Sequence, residues 1–219
     1  MLVIAIDGAC RRNGKPDCVS AGGVFVVQDN ETYRTLCVSE KGSTNQRGEM
    51  LALLEALRYI YDTPGNDALI ITDSEYLFNA MSKEWFNSWI RNDWITIAGT
   101  PVKNADLWML IVDAYAKCVH KNIDIIFFHI KGHVIPFGEV TATKLLQKDN
   151  SGEALFFEAL HKYDESKESK ADNIENAKAL SIKNNGYVPE CFMLRQFVAA
   201  NVTADAIATK CVNEADIRS

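Results

Sequence analysis

Three acidic residues stand where stretches of regular structure begin or end. Asp7 closes the apolar run Leu2 to Ile6, Glu49 lies in the first turns of a helical pattern that opens after Thr44-Asn45, and Asp73 follows the apolar run Ala68 to Thr72. Singly, such residues are more often solvated or capping carboxylates than functional ones. Together they gain meaning if the first and fourth runs are neighbouring parallel strands. Asp7 and Asp73 then project from one sheet edge, where open α/β sheets place their sites. Converging carboxylates repel unless a cation lies between them, and an oxygen-only set favours Mg²⁺ or Mn²⁺ over zinc. The chemistry served by such a set is phosphoryl transfer, in which two ions about 3.5–4 Å apart activate a water and stabilise the leaving oxygen of an in-line displacement.

The elements that must position these groups follow from periodicity. Leu2 to Ile6, Gly23 to Gln28 and Tyr33 to Ser39 are strand-like and divided by turn residues, which suggests an antiparallel meander. Met50, Leu53, Leu54, Leu57, Ile60 and Tyr61 recur at helical spacing until Thr63-Pro64-Gly65. Ala68 to Thr72 reads as a strand buried on both faces, parallel to the first. Helical patterns cover Ser74 to Met81 and Ala105 to Val119, Trp85, Trp89 and Trp94 lie between them, and Ile123 to Ile130 is the fifth strand. The order predicts an α/β fold with a five-stranded mixed sheet flanked by helices, three strands antiparallel and then two parallel.

From Val134 the character changes. Ser151-Gly152-Glu153 opens a short amphipathic helix ending near Tyr163, a charged run covers Asp164 to Lys170, and a further helix is expected over Asp172 to Lys183. Residues 136–197 therefore read as a helical insertion, part of it mobile. It separates a core over 1–135 from a C-terminal helix over 198–219.

With 219 residues and 47% hydrophobic content, the chain can bury a sizeable core. It has no apolar run of membrane-spanning length and its N-terminal apolar run meets Asp7 too early for a signal segment, so a soluble, cytoplasmic protein without membrane contact is expected. The six cysteines form no C-x-x-C pair, which argues against a zinc ribbon and reads as buried thiols in a reducing compartment. A net charge of −6 argues against an ordinary nucleic-acid binder, so any phosphate contact must come from local clusters and from metal ions.

Five stretches in order, Asp7-Gly8-Ala9-Cys10, Thr44-Asn45-Gln46-Arg47-Gly48-Glu49-Met50, Thr72-Asp73-Ser74, Pro101 to Trp108 and Ile130-Lys131-Gly132-His133, resemble the motifs of type 1 ribonuclease H. The resemblance covers residues 1 to 135 and resumes near the C-terminus. It implies the ribonuclease H-like fold and a metal-dependent endonuclease that cuts the RNA strand of an RNA–DNA hybrid. Asp7, Glu49 and Asp73 would hold two Mg²⁺ ions, with Mn²⁺ as a substitute, and His133 would move protons or release product. The family's fourth carboxylate is expected about ten residues after the histidine, where nothing acidic has the right neighbours. Asn201-Val202-Thr203-Ala204-Asp205 looks like the missing motif, and Asp149 is its competitor.

By the same resemblance Asn13, Asn45 and Gln46 would read the minor groove, where 2′-hydroxyls distinguish the strands. Thr44 and Arg47 would hold a DNA phosphate, and Ser74, Trp85, Lys103 and Asn104 would complete the substrate surface. Thr44 and Asn45 also suit helix capping, and tryptophans at near-helical spacing are more often core. Only Lys83, Arg91 and Lys103 are basic across 83–104, which predicts weak, salt-sensitive hybrid binding. A monomer is expected, with the insertion acting as a lid or as a surface for a protein partner. The competing readings are a DNA nuclease or resolvase of the same fold, and a scaffold without catalysis that binds hybrids or proteins.

Overall fold

A computed structural model describes residues 1–29, 31–63, 65, 67–132, 135, 137–165 and 191–217, with backbone only for 191–193. The strands are β1 (Leu2–Arg11), β2 (Val19–Gln28), β3 (Thr32–Lys41), β4 (Ala68–Thr72) and β5 (Ile125–His129). The helices are α1 (Asn45–Asp62), α2 (Glu75–Ser82), α3 (Trp85–Arg91), α4 (Ala105–His120), α5 (Glu139–Lys148), α6 (Glu153–Glu165) and α7 (Cys191–Ile217).

The strands form one sheet in the order β3-β2-β1-β4-β5. β2 runs antiparallel to β1 and β3, whereas β1, β4 and β5 are mutually parallel, as the runs of apolar residues predict. Burial on both faces explains why β1 and β4 are apolar almost throughout. Ile6 pairs with Thr72, so the residues that follow each, Asp7 and Asp73, leave the same edge of the sheet.

Side chains alternate between two cores. Ile4, Ile6, Val24 and Ile70 face α1, α2 and α4, where they meet Leu53, Leu57, Leu77, Trp108 and Ile111. Ala5, Phe25, Leu69, Ile71 and Phe128 face the other way, onto Leu146, Leu155, Phe156, Phe197 and Ile207 from α5, α6 and α7. The segment read as an insertion therefore supplies buried core through α5 and α6. The final helix starts at Cys191 rather than at 198. The mobile run and the helix expected over Asp172 to Lys183 lie outside the described residues.

Two elements have weak signals in the sequence and are formed nonetheless. α3 carries Trp85 and Trp89, which pack with Tyr76, Trp94 and Trp108, so the indoles fill the first core as the structural reading of tryptophan spacing expects. α5 buries only Ala142 and Leu146, too little periodicity to show. The cysteines depart from the expectation of free buried thiols: Cys37 on β3 and Cys211 on α7 form a disulfide with Cα atoms 6.0 Å apart, and Cys10 is partly exposed. Their separation of 174 residues hides the pairing from any spacing rule.

Candidate active site

Close packing brings the carboxylates together. Gly8 follows Asp7 and faces α1, where a Cβ would collide with the backbone and side chain of Glu49, so only glycine lets the helix start this near the strand. Gly23, the ladder partner of Asp7, does the same on the opposite face. A Cβ there would strike the backbone of Ala204 and Ala208, so α7 lies against the sheet beside Asp7 and carries Asp205 to it.

The electrostatics report this convergence. Asp7 is buried, at 7% exposure, and accepts from its neighbour Gly8 N at 2.6 Å. Its protonation is pushed well above the ordinary carboxylate range, first by burial and then by the charges of Asp73 and Asp205, with the Gly8 amide lowering it by more than Glu49 raises it. Glu49 is also raised, by burial and by Asp73, while a hydrogen bond from Ser74 Oγ opposes the shift. Asn45 Nδ2 donates to the other Glu49 oxygen at 3.3 Å.

Asp205 thus joins the group predicted from Asp7, Glu49 and Asp73, and Asp149 does not. The Asp149 carboxylate accepts from Ser151 N at 2.9 Å and Ala154 N at 3.1 Å, which caps the start of α6 and lowers its protonation despite some burial. His133 lies outside the described residues. Gly132, which is described, packs its Cα against the Asp73 carboxylate.

The residues expected to touch substrate divide into groups. Thr44 caps α1 by accepting from Arg47 N at 3.4 Å, and Asn104, in a left-handed conformation before α4, reaches Gln46 Oε1 at 3.4 Å. Asn45, Gln46 and Asn104 therefore form one polar edge beside Glu49. Ser74 is turned to Glu49 and Trp85 is half-buried among aromatic rings, while Asn13 and Lys103 are exposed. Arg47 is already engaged, bidentate to Glu40 at 2.8 and 2.9 Å and bonded to Asp106 at 2.9 Å. Sequence reasoning missed this pairing, because Glu40 ends β3 and its approach to α1 depends on the sheet.

Among the described residues no three Asp, Glu, His or Cys side chains are gathered closely enough to hold one ion. The donor set still fits a hard divalent cation: its oxygens are carboxylates only, and a cation would offset the mutual repulsion that, after burial, raises Asp7. Asp7, Glu49, Asp73 and Asp205 are the residues that could hold it.

A β3-β2-β1-β4-β5 sheet with acidic side chains converging at its parallel edge defines the class as a ribonuclease H-like fold. The RNase H family model matches residues 1–148, and the chain belongs to that family. Ribonuclease H of Rickettsia felis is 37% identical over 144 residues, covering 66% of this chain and 87% of the relative, and ribonuclease HI of Rickettsia prowazekii is 35% identical over the same length and shares. Among solved structures, the prototype foamy virus RNase H domain superposes with a TM-score of 0.51 at 22% identity, covering 70% of this chain and 93% of that domain. The family match ends before both Asp149 and Asp205, so the choice between them rests on geometry.

Proposed function

We propose that this protein is an endoribonuclease that hydrolyses the RNA strand of RNA–DNA hybrids by a two-metal-ion mechanism. The observation that carries the reading is the convergence of Asp73, Asp205 and Glu49 on buried Asp7, beside the polar edge of Asn45, Gln46 and Asn104. Mg²⁺, or Mn²⁺ in its place, would be held by the four carboxylates and would supply an activated water and charge stabilisation at the leaving oxygen. Asp7 and Glu49 must be ionised for this, and a bound cation would favour their charged forms against the burial that raises both. Ser74 orients Glu49 through its hydroxyl, and Asn45 steadies the second Glu49 oxygen. The edge side chains are short and polar, as minor-groove reading of 2′-hydroxyls requires, and Arg47 would meet a phosphate only by yielding contacts to Glu40 or Asp106. That exchange accords with weak hybrid binding.

The test is cleavage of a labelled RNA–DNA hybrid with Mg²⁺ or Mn²⁺, beside RNA-duplex and DNA-duplex controls, for the wild type and Asp7→Asn. Cutting confined to the hybrid and lost in the variant is the expected result. Cutting of duplex DNA would move the protein to the DNA-nuclease reading, and no cutting with either ion would leave a binding scaffold.

A further inference from the structure

The turn that carries Asp73 is tied at several points. Thr72 Oγ1 accepts from Ser74 N at 3.0 Å, Ser74 Oγ donates to Glu49, and Ile130 N donates to the Thr72 carbonyl at 3.0 Å. The Asp73 carbonyl lies beyond the end of the β4–β5 ladder, whose last pair is Thr72 with His129. Among the described residues no strand neighbour satisfies it. His129 does so from the side: its Nε2 stands 3.2 Å from the Asp73 oxygen. A carbonyl only accepts, so Nε2 carries the proton of this bond. The imidazole is 9% exposed and lies against Phe78 on α2, with ring centres 5.6 Å apart, so its orientation is set by packing.

We propose that His129 is a positioning residue for Asp73. It donates to the Asp73 backbone and thereby fixes the β4–α2 turn, holding the carboxylate toward Asp7 and Glu49. The inference rests on the reading of Asp73 as a metal-holding carboxylate, and it assigns a role to a buried histidine that the carboxylate cluster itself does not require. Groups that orient metal ligands without touching the metal act through such bonds, and losing one typically costs about 10–100-fold in metal affinity or activity.

Two substitutions separate positioning from packing. His129→Phe keeps a ring against Phe78 and removes the donor, whereas His129→Gln keeps an N–H that can reach the same carbonyl. Three readouts apply to the full chain: Mn²⁺ affinity by electron paramagnetic resonance, kcat and KM on hybrid, and amide hydrogen exchange across 72–78. The expected result for His129→Phe is Mn²⁺ affinity and kcat lower by about tenfold with KM unchanged, and faster exchange at the turn. His129→Gln is expected to stay near wild type in all three. Equal behaviour of the two variants, whether both intact or both impaired, overturns the proposal. If His129→Phe does not fold, His129→Met removes the donor in its place and is judged against His129→Gln in the same way. If the wild type neither binds Mn²⁺ nor cuts hybrid, the nuclease reading fails. Hydrogen exchange then decides the His129 tie alone, through faster turn exchange in the donor-less variant only or equal exchange in both.

Discussion

The two faces of the sheet are built by different routes. The face under α1, α2 and α4 is closed by helices that lie between β3 and β5 in the chain, and its core runs through Leu53, Leu57, Trp108 and Ile111. The opposite face is closed by α5, α6 and α7, with α7 reaching back across β1 and β2 from the far end of the chain. Alternation along β1 turns Asp7 toward this second face, alongside Ala5, while Glu49 approaches from the first. The least local part of the chain therefore completes the side of the sheet on which the central carboxylate stands. Local sequence can specify a helix and its register, but a carboxylate brought in by a distant helix depends on the whole second core.

Four measurements test this contrast. The largest effect is expected from Asp205→Asn, with kcat/KM on hybrid falling on the order of 10³-fold, about 4 kcal/mol of transition-state stabilisation. Retained activity in Asp205→Asn would leave the second face structural only. Next is Phe156→Ala, which removes a buried ring packed on Phe25 and Tyr33 and is expected to destabilise the fold by about 3–5 kcal/mol in denaturant unfolding. A loss below about 1 kcal/mol would show that α6 is an appendage and not part of the core. Asp149→Ala, which removes the cap of α6, is expected to cost about 1–2 kcal/mol of stability while hybrid cleavage stays intact. A collapse of activity there, without unfolding, would restore Asp149 as the fourth carboxylate.

The smallest effect belongs to the first face. Arg47 holds the protonation of Glu40 and Asp106 below the ordinary carboxylate range, mainly through its hydrogen bonds. Because the folded-state values are depressed, this contribution is present above the unfolded pKa, near pH 4, and is lost as pH falls through the folded values. Thermal unfolding of the wild type is therefore expected to drop more steeply than that of Arg47→Met below about pH 4, by at most about 1 kcal/mol for so exposed a network. Parallel curves would show that the pairing adds nothing to stability.

Much of the first face was legible. Met50, Leu53, Leu57 and Ile60 mark α1 by spacing, Ala68 to Thr72 marks β4 to the residue, and Asp7, Glu49 and Asp73 stand at element ends where a sheet edge collects them. The second face was less so, because α5 buries few residues and α6 opens at a capping Asp149 that mimics a site residue in isolation. Asp205 was found through its resemblance to a motif. What places it is Gly23, a glycine in a strand whose purpose shows only when Ala204 and Ala208 are laid against it. The Cys37–Cys211 bond and the engagement of Arg47 with Glu40 and Asp106 were invisible for the same reason: each joins elements that meet only after the sheet has formed.

The position of Asp205 on α7 also sets a timetable for synthesis. Asp7, Glu49 and Asp73 are all in the first third of the chain, and β1, α1 and β4 can begin to pack as soon as they leave the ribosome. Asp205 follows Asp73 by 205 − 73 = 132 residues. At roughly 5–20 residues per second, translation takes on the order of ten seconds to cover that distance. For that interval the nascent chain carries three of the four carboxylates and cannot assemble the set, so the site stays incomplete until α7 has been made.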